Sequence, residues 1–160
     1  MLSNRACNNL DEQGYVALSQ EEKSKLNIAL RITPILCITV VIFGIYLQDW
    51  RIFAALTIFG ILGAATTQWQ PFDVLYNFVL RHVFKSPKLP LSPVQKRFAC
   101  GVGAVFLVGA TIAFYVGALT WGYVFGALYI GAAGLMALTH FCIASWIYNR
   151  VIKTGDPSSA

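Results

Sequence analysis

Acidic residues are scarce in this chain, seven in 160, and none of them falls inside the four long apolar runs that dominate it. That removes the usual acidic element of a proton or cation relay through a membrane. A phosphate-binding glycine loop, a carboxylate pair placed for acid/base catalysis and a Ser/His/Asp arrangement are also missing, so no familiar catalytic constellation is written in the sequence. Charged residues make up only 12% of the chain, against about 25% in an ordinary soluble protein. The four cysteines do not form a secreted disulfide framework: Cys7 lies in a polar stretch, and Cys37, Cys100 and Cys142 lie in apolar runs. Residues 1–25 carry Arg5, Asp11, Glu12, Glu21, Glu22, Lys23 and Lys25, with no apolar core or small-residue cleavage site. No secretory signal is therefore expected there, and the first apolar run is expected to act as an uncleaved targeting element.

What the chain does have is hydrophobic length. The runs are Arg31–Leu47, Arg51–Trp69, Phe98–Leu119 and Trp121–Ile147. About 20 helical residues cover a hydrocarbon core of about 30 Å. A soluble bundle would need a polar stripe on each helix, and Ile35–Leu47 and Gly101–Leu119 show none. The fold class predicted is all-α: a polytopic membrane protein with four transmembrane helices as two hairpins, plus a short cytoplasmic interfacial helix. The organisation expected is a polar cytoplasmic tail over 1–25, a four-helix transmembrane domain over 26–152 and a short tail over 153–160. Within the domain lie the interfacial helix at 71–84 and a Pro-rich connector at 85–95.

Orientation follows from Lys and Arg. Arg5, Lys23, Lys25 and Arg31 flank the first run; Arg81, Lys85, Lys88, Lys96 and Arg97 lie between the second and third; Arg150 and Lys153 follow the fourth. Only Arg51 falls on the other side. The positive-inside rule then places both termini in the cytoplasm, with the chain crossing the membrane several times. The net charge of +5 reads as a face apposed to anionic lipid headgroups. Nucleic acid is not an expected partner, because the basic residues track membrane edges and do not gather in one domain.

Local signals add detail. Ser19-Gln20-Glu21-Glu22 has capping-box spacing, so a short interfacial helix is expected to start there. Thr33-Pro34 reads as an N-cap and N1 pair, which would begin the deep part of the first helix. Trp50, Trp69, Trp121 and Trp146 fall at predicted membrane edges. On a helical wheel Asp73, Asn77 and Arg81 form one polar stripe over Pro71–Phe84, which places that segment in the interface with the stripe facing water or headgroups. Pro87, Pro90 and Pro93 then favour an extended connector. Small residues at four-residue spacing, Gly60 and Ala64, Gly109, Ala113 and Gly117, Gly122 and Gly126, would let helices two to four approach closely. The first helix is bulkier and is expected to face lipid or a partner.

Three candidates carry chemistry. His140, about ten residues from Arg150, would sit roughly 10–15 Å along a helix from the cytoplasmic edge. A histidine there can ligate a haem or pigment metal, or it can simply hydrogen-bond to a carbonyl or hydroxyl of a neighbouring helix. Cys142 and Cys100 fall at similar depth on adjacent antiparallel helices, with Cys37 at that depth on the first. A thiol pair can exchange disulfides with a soluble partner; a free cysteine can equally be a small, well-packed apolar residue. Lys96 and Arg97 are expected to anchor the third helix at headgroup level.

The stretch Pro93-Val-Gln-Lys96-Arg97-Phe98-Ala99-Cys100-Gly101-Val-Gly103, with Phe141-Cys142-Ile-Ala-Ser145-Trp-Ile147-Tyr148, resembles an uncharacterised bacterial four-helix membrane family, domain of unknown function 4395. Pro71-Phe72-Asp73 and Tyr76-Asn77 extend the likeness, which covers roughly residues 25–152. The family shows a Lys/Arg-Arg-Phe-Ala stretch entering the third helix and Phe-Cys-x-x-Cys-x-x-Tyr ending the fourth. The resemblance implies the four-helix fold and no established activity. Ser145 stands where the family's second cysteine falls, and Cys-x-x-Ser cannot close that disulfide.

The reading expected is a small membrane accessory or structural subunit in the assembly of a larger membrane complex, with no intrinsic catalysis and no metal or cofactor of its own. It would contact membrane lipids and stand next to a haem, pigment or lipid held by its partners. The alternative is a thiol protein relaying redox equivalents or sulfur through Cys142 to a cytoplasmic carrier.

Overall fold

Among the described residues the chain folds into seven α-helices. The computed structural model describes residues 4–67, 71–80 and 90–152, and among these the chain is helical, with no strand. The order is α1 (Asn4–Glu12), α2 (Gln20–Leu47), α3 (Trp50–Ala65), α4 (Pro71–Leu75), α5 (Val94–Tyr115), α6 (Leu119–Thr139) and α7 (Ile143–Ile147). Wider, π-helical turns extend α4 over Tyr76–Leu80 and α7 over Tyr148–Ile152.

Ser19 starts α2 as the sequence predicts. Its hydroxyl accepts from the Glu22 amide at 3.3 Å, and Glu22 Oε2 accepts from the Ser19 amide at 2.8 Å, so two otherwise orphaned N–H groups are satisfied reciprocally. The helix then runs unbroken through Pro34. The expected fresh start at Thr33-Pro34 is corrected, because Thr33 spends its hydroxyl on Asp73 and does not cap. At 28 residues α2 is about 42 Å long, more than the about 30 Å of a hydrocarbon core, and its first turns are the polar part.

Those turns carry the N-terminal segment. The polar tail expected over 1–25 is folded: α1 packs on α2 through Leu10, Tyr15, Leu26, Ala29, Leu30 and Tyr76, all buried. Lys23 is buried as well and pairs with Asp11.

The membrane-level core is a second cluster of Val41, Phe53, Leu56, Leu107, Ala110 and Phe114. Phe53 stacks on Phe114 with centroids 4.9 Å apart. The helices pair most extensively as α3 with α5, α5 with α6 and α2 with α6, while α2 touches α3 much less. The bulky first helix therefore turns one face inward onto α6, and leaves Ile35, Ile42 and Phe43 exposed on the other.

Small residues set these approaches. A Cβ on Gly122 would lie 2.7 Å from the Phe114 ring, and one on Gly126 would lie 2.7 Å from Ile45. Gly122→Val is thus expected to lower the yield of folded protein and its melting temperature in detergent, since overpacking costs about 1–3 kcal/mol. Gly117, grouped with the packing residues by spacing, has another role. Its φ of +76° turns the chain between α5 and α6, and nothing approaches it.

The outer surface decides the environment. Three helices, α2, α5 and α6, are long and apolar enough to cross a membrane, and only 17% of the most apolar window of α6 is buried within the protein. Ile58, Ile61, Val105, Ile112 and Leu128 all face outward. Apolar area on this scale is stable only against lipid or another protein. α3 has the same character but only 16 residues.

Candidate functional site

The polar groups of the bundle gather at the end where α2 and α5 begin and α6 finishes. Asp73 lies at its centre. The wheel placed it with Asn77 and Arg81 facing water; Arg81 lies outside the described residues, and Asp73 is 5% exposed. Its Oδ1 accepts from Thr33 Oγ1 at 2.9 Å, and its Oδ2 accepts from Lys96 Nζ at 2.5 Å and Ser92 Oγ at 3.3 Å. One carboxylate thereby joins α2, α4, α5 and the residues before α5. The stripe reading fails because a helical wheel records the shape of one helix and not the cation that another presents to it. An ionised carboxylate can be buried only with such partners.

Lys96, read as a headgroup anchor, is the buried cation of that pair. Arg97, the second expected anchor, turns instead to the end of α3. Its Nε donates to the Ala64 carbonyl at 2.9 Å and Nη2 to the Ala65 carbonyl at 3.1 Å. A cation on the last carbonyls satisfies orphan acceptors and opposes the negative end of the helix dipole.

Next to the pair sit two phenols. Tyr15 and Tyr76 are 3% and 0% exposed, and neither hydroxyl has a hydrogen-bond partner among the described residues. Burial raises the Tyr15 pKa, with the Lys96 charge opposing the shift.

The fourth apolar run breaks at the end of α6, where no Gly or Pro announces it. α6 ends at His140 in the left-handed region, φ +55° and ψ +13°, which histidine tolerates better than most residues. The break leaves two carbonyls that α1 satisfies across more than 120 residues of sequence. Asn9 Nδ2 donates to the Thr139 carbonyl at 2.8 Å and Gln13 Nε2 to the His140 carbonyl at 2.5 Å. Asn149 Nδ2 donates back to the Glu12 carbonyl at 2.8 Å. α1 is in effect the cap of helix four.

The His140 side chain is therefore past the end of α6 and not deep within a spanning helix, which corrects the expected depth. Its Nε2 lies 2.7 Å from Asn27 Oδ1 and 3.1 Å from Arg31 Nε. A single ring nitrogen serves one of these at a time, and the guanidinium favours a neutral ring that accepts. Burial first, then Arg31, pulls the His140 pKa down to about 4. With the folded pKa below the unfolded one, its contribution is complete above about pH 6.5 and is lost as pH falls toward about 4. Thermal stability is expected to decline measurably between pH 6.5 and 5, and His140→Gln should flatten that decline.

The thiols converge in part. Cys100 lies one turn beyond Lys96, within electrostatic range of Lys96, Asp73 and Cys142, and Cys37 lies within range of Cys100. All four cysteines are free. Cys142 stands in the break ahead of α7 and is half-buried. Ser145 is fully buried and donates to the Gln95 carbonyl at 3.4 Å. Cys7, read as part of a polar tail, is 5% exposed. Among the described residues no group of three His, Cys, Asp or Glu side chains comes together that could hold a metal ion.

An all-helical membrane protein with its ionic groups locked together at one end is the class these features define. The chain belongs to the family described as Domain of unknown function (DUF4395), whose model matches residues 27–153. No curated protein and no solved structure matches the chain.

Proposed function

We propose that this protein is a small accessory subunit of a larger complex in the bacterial cytoplasmic membrane, crossing four times with both termini in the cytoplasm. The observation that carries this reading is where the polar groups are spent. Asp73, Lys96, Thr33 and Ser92 answer one another, Asp11 answers Lys23, Asn9 and Gln13 answer the broken helix, and His140 meets Asn27 and Arg31. Groups used to hold helices together are not disposed to turn over a substrate, and the apolar outside suits lateral packing in the membrane. The fourth crossing falls to α3, about 24 Å long, with Arg97 closing its end; a modest local thinning of the bilayer accommodates that length. The orientation draws on Lys23, Lys25, Arg31, Lys96, Arg97 and Arg150 all sharing one end, with Arg51 at the other.

A second reading is favoured by one specific feature, that Cys100 lies within electrostatic range of both Cys37 and Cys142. There the protein would pass redox equivalents or sulfur through Cys142 to a cytoplasmic carrier, a role that Ser145 in place of a second cysteine weakens.

Both are tested in the native host. A Cys37/Cys100/Cys142→Ala protein should restore the phenotype of a deletion strain in full; failure, with a mixed disulfide trapped between Cys142 and a soluble protein, would establish the thiol reading instead. Topology is read in a cysteine-free background. Thr120→Cys, exposed in the first turn of α6, should react with an impermeant maleimide outside intact cells, and Glu22→Cys should not.

A further inference from the structure

An open groove of about 500 Å³ runs down the side of the bundle between α3, α5 and the turn after α7. Its volume lies within the range of ligand sites, about 300–1,000 Å³. Arg97 stands at one end. Below it the walls are Ala64, Gly101 and Val105, with Phe98 and Tyr148 packed ring to ring at 5.4 Å along one edge.

We infer that this groove is a binding site for one anionic glycerophospholipid. Three features point to that occupant and away from a partner helix. Polarity is confined to one end: Arg97 is in the first turn of α5, and Val105 lies eight residues, about 12 Å, further into the apolar span. That is the profile of an amphiphile with its headgroup at the membrane edge. The charge is complementary, since among the described residues two of the five guanidinium N–H donors go to the α3 carbonyls and the other three have no acceptor, which suits phosphate oxygens. The groove also opens toward lipid, with Val105 69% exposed.

Gly101 makes the floor. A Cβ there would meet only Ala64 Cβ, at 3.7 Å, which is ordinary contact. Glycine is therefore not needed for helix packing at this position, and its effect is to leave the groove empty. A lipid bound here would bridge α3, α5 and the α7 turn, and would accompany the chain with or without a partner subunit.

The test is thermal unfolding of the purified protein in neutral detergent, with phosphatidylglycerol, phosphatidylcholine or inorganic phosphate added. Phosphatidylglycerol is expected to raise the melting temperature by about 5 °C, as saturating a specific site does, and the other two to leave it unchanged. Gly101→Ala should keep the shift. Gly101→Leu, which fills the groove, should abolish it, and Val105→Trp, which narrows it from the exposed side, should reduce it. Arg97→Gln should erase the preference for phosphatidylglycerol over phosphatidylcholine. Equal shifts from both lipids, a shift from phosphate alone, or a full shift in folded Gly101→Leu and Val105→Trp would overturn the site. So would a photo-reactive residue at Val105 that crosslinks to polypeptide in native membranes and not to lipid.

Discussion

Lys96→Ala is expected to destabilise the protein by about 3–5 kcal/mol, the cost of leaving a buried partner charge unpaired. Asp73 would keep Thr33 and Ser92 but lose its cation, at a position 5% exposed. Asp73→Ala should cost a similar amount, because Lys96 would then be the stranded charge. The double variant Asp73→Asn/Lys96→Met should recover most of the loss, since replacing both members of a buried pair by neutral groups of similar shape is often nearly neutral. Unfolding in a denaturing detergent titration gives the values, and with the matching single variants Asp73→Asn and Lys96→Met the cycle isolates the coupling. Additive losses in the double variant would mean that the two groups do not meet. The position of Asp73 at the junction of α2, α4 and α5 makes this pair the clip between the two halves of the chain.

Deleting residues 1–18 is the second large effect. It removes Leu10 and Tyr15 from the cluster over Tyr76, Leu26 and Leu30, about 3 kcal/mol or more of apolar burial on its own. It also strips the Thr139 and His140 carbonyls of their donors Asn9 and Gln13. A fall in melting temperature of roughly 6–12 °C is expected, together with new protease cleavage near 140–142 and faster alkylation of Cys142. A truncated protein that melts with the full chain would show that α1 is an appendage. Gln13→Ala is the finer variant, removing one bond from the cap while α1 stays in place.

Much of this was legible from residues alone, and the exceptions share a cause. The Ser19 capping box and the close approaches at Gly122 and Gly126 are local or periodic features, and the chain shows them as written; of the apolar runs, three contain helices long enough to cross a membrane. The Pro71-Phe72-Asp73 and Lys96-Arg97-Phe98 stretches marked the right places without revealing that they meet. They read as an interfacial stripe and headgroup anchors, and they contain the two halves of one ion pair. Nothing local says that a carboxylate on one short helix faces a lysine 23 residues later. The fold of α1 was hidden in the same way: Asn9 and Gln13 look like ordinary polar residues until a helix breaks 130 residues away. That break had one faint signal, a histidine without glycine or proline nearby, and histidine enters the left-handed region more readily than most residues do.

The subunit role rests most directly on what the protein travels with in its own membrane. The measurement is native-state mass analysis of the chromosomally tagged protein, extracted in mild detergent and compared with a Cys142→Ala strain. The account predicts that both proteins migrate in the same assembly, several times the 17.6 kDa of the chain, with other membrane polypeptides in fixed ratio. A protein that runs alone or only with copies of itself, or whose assembly is lost with Cys142, would contradict it.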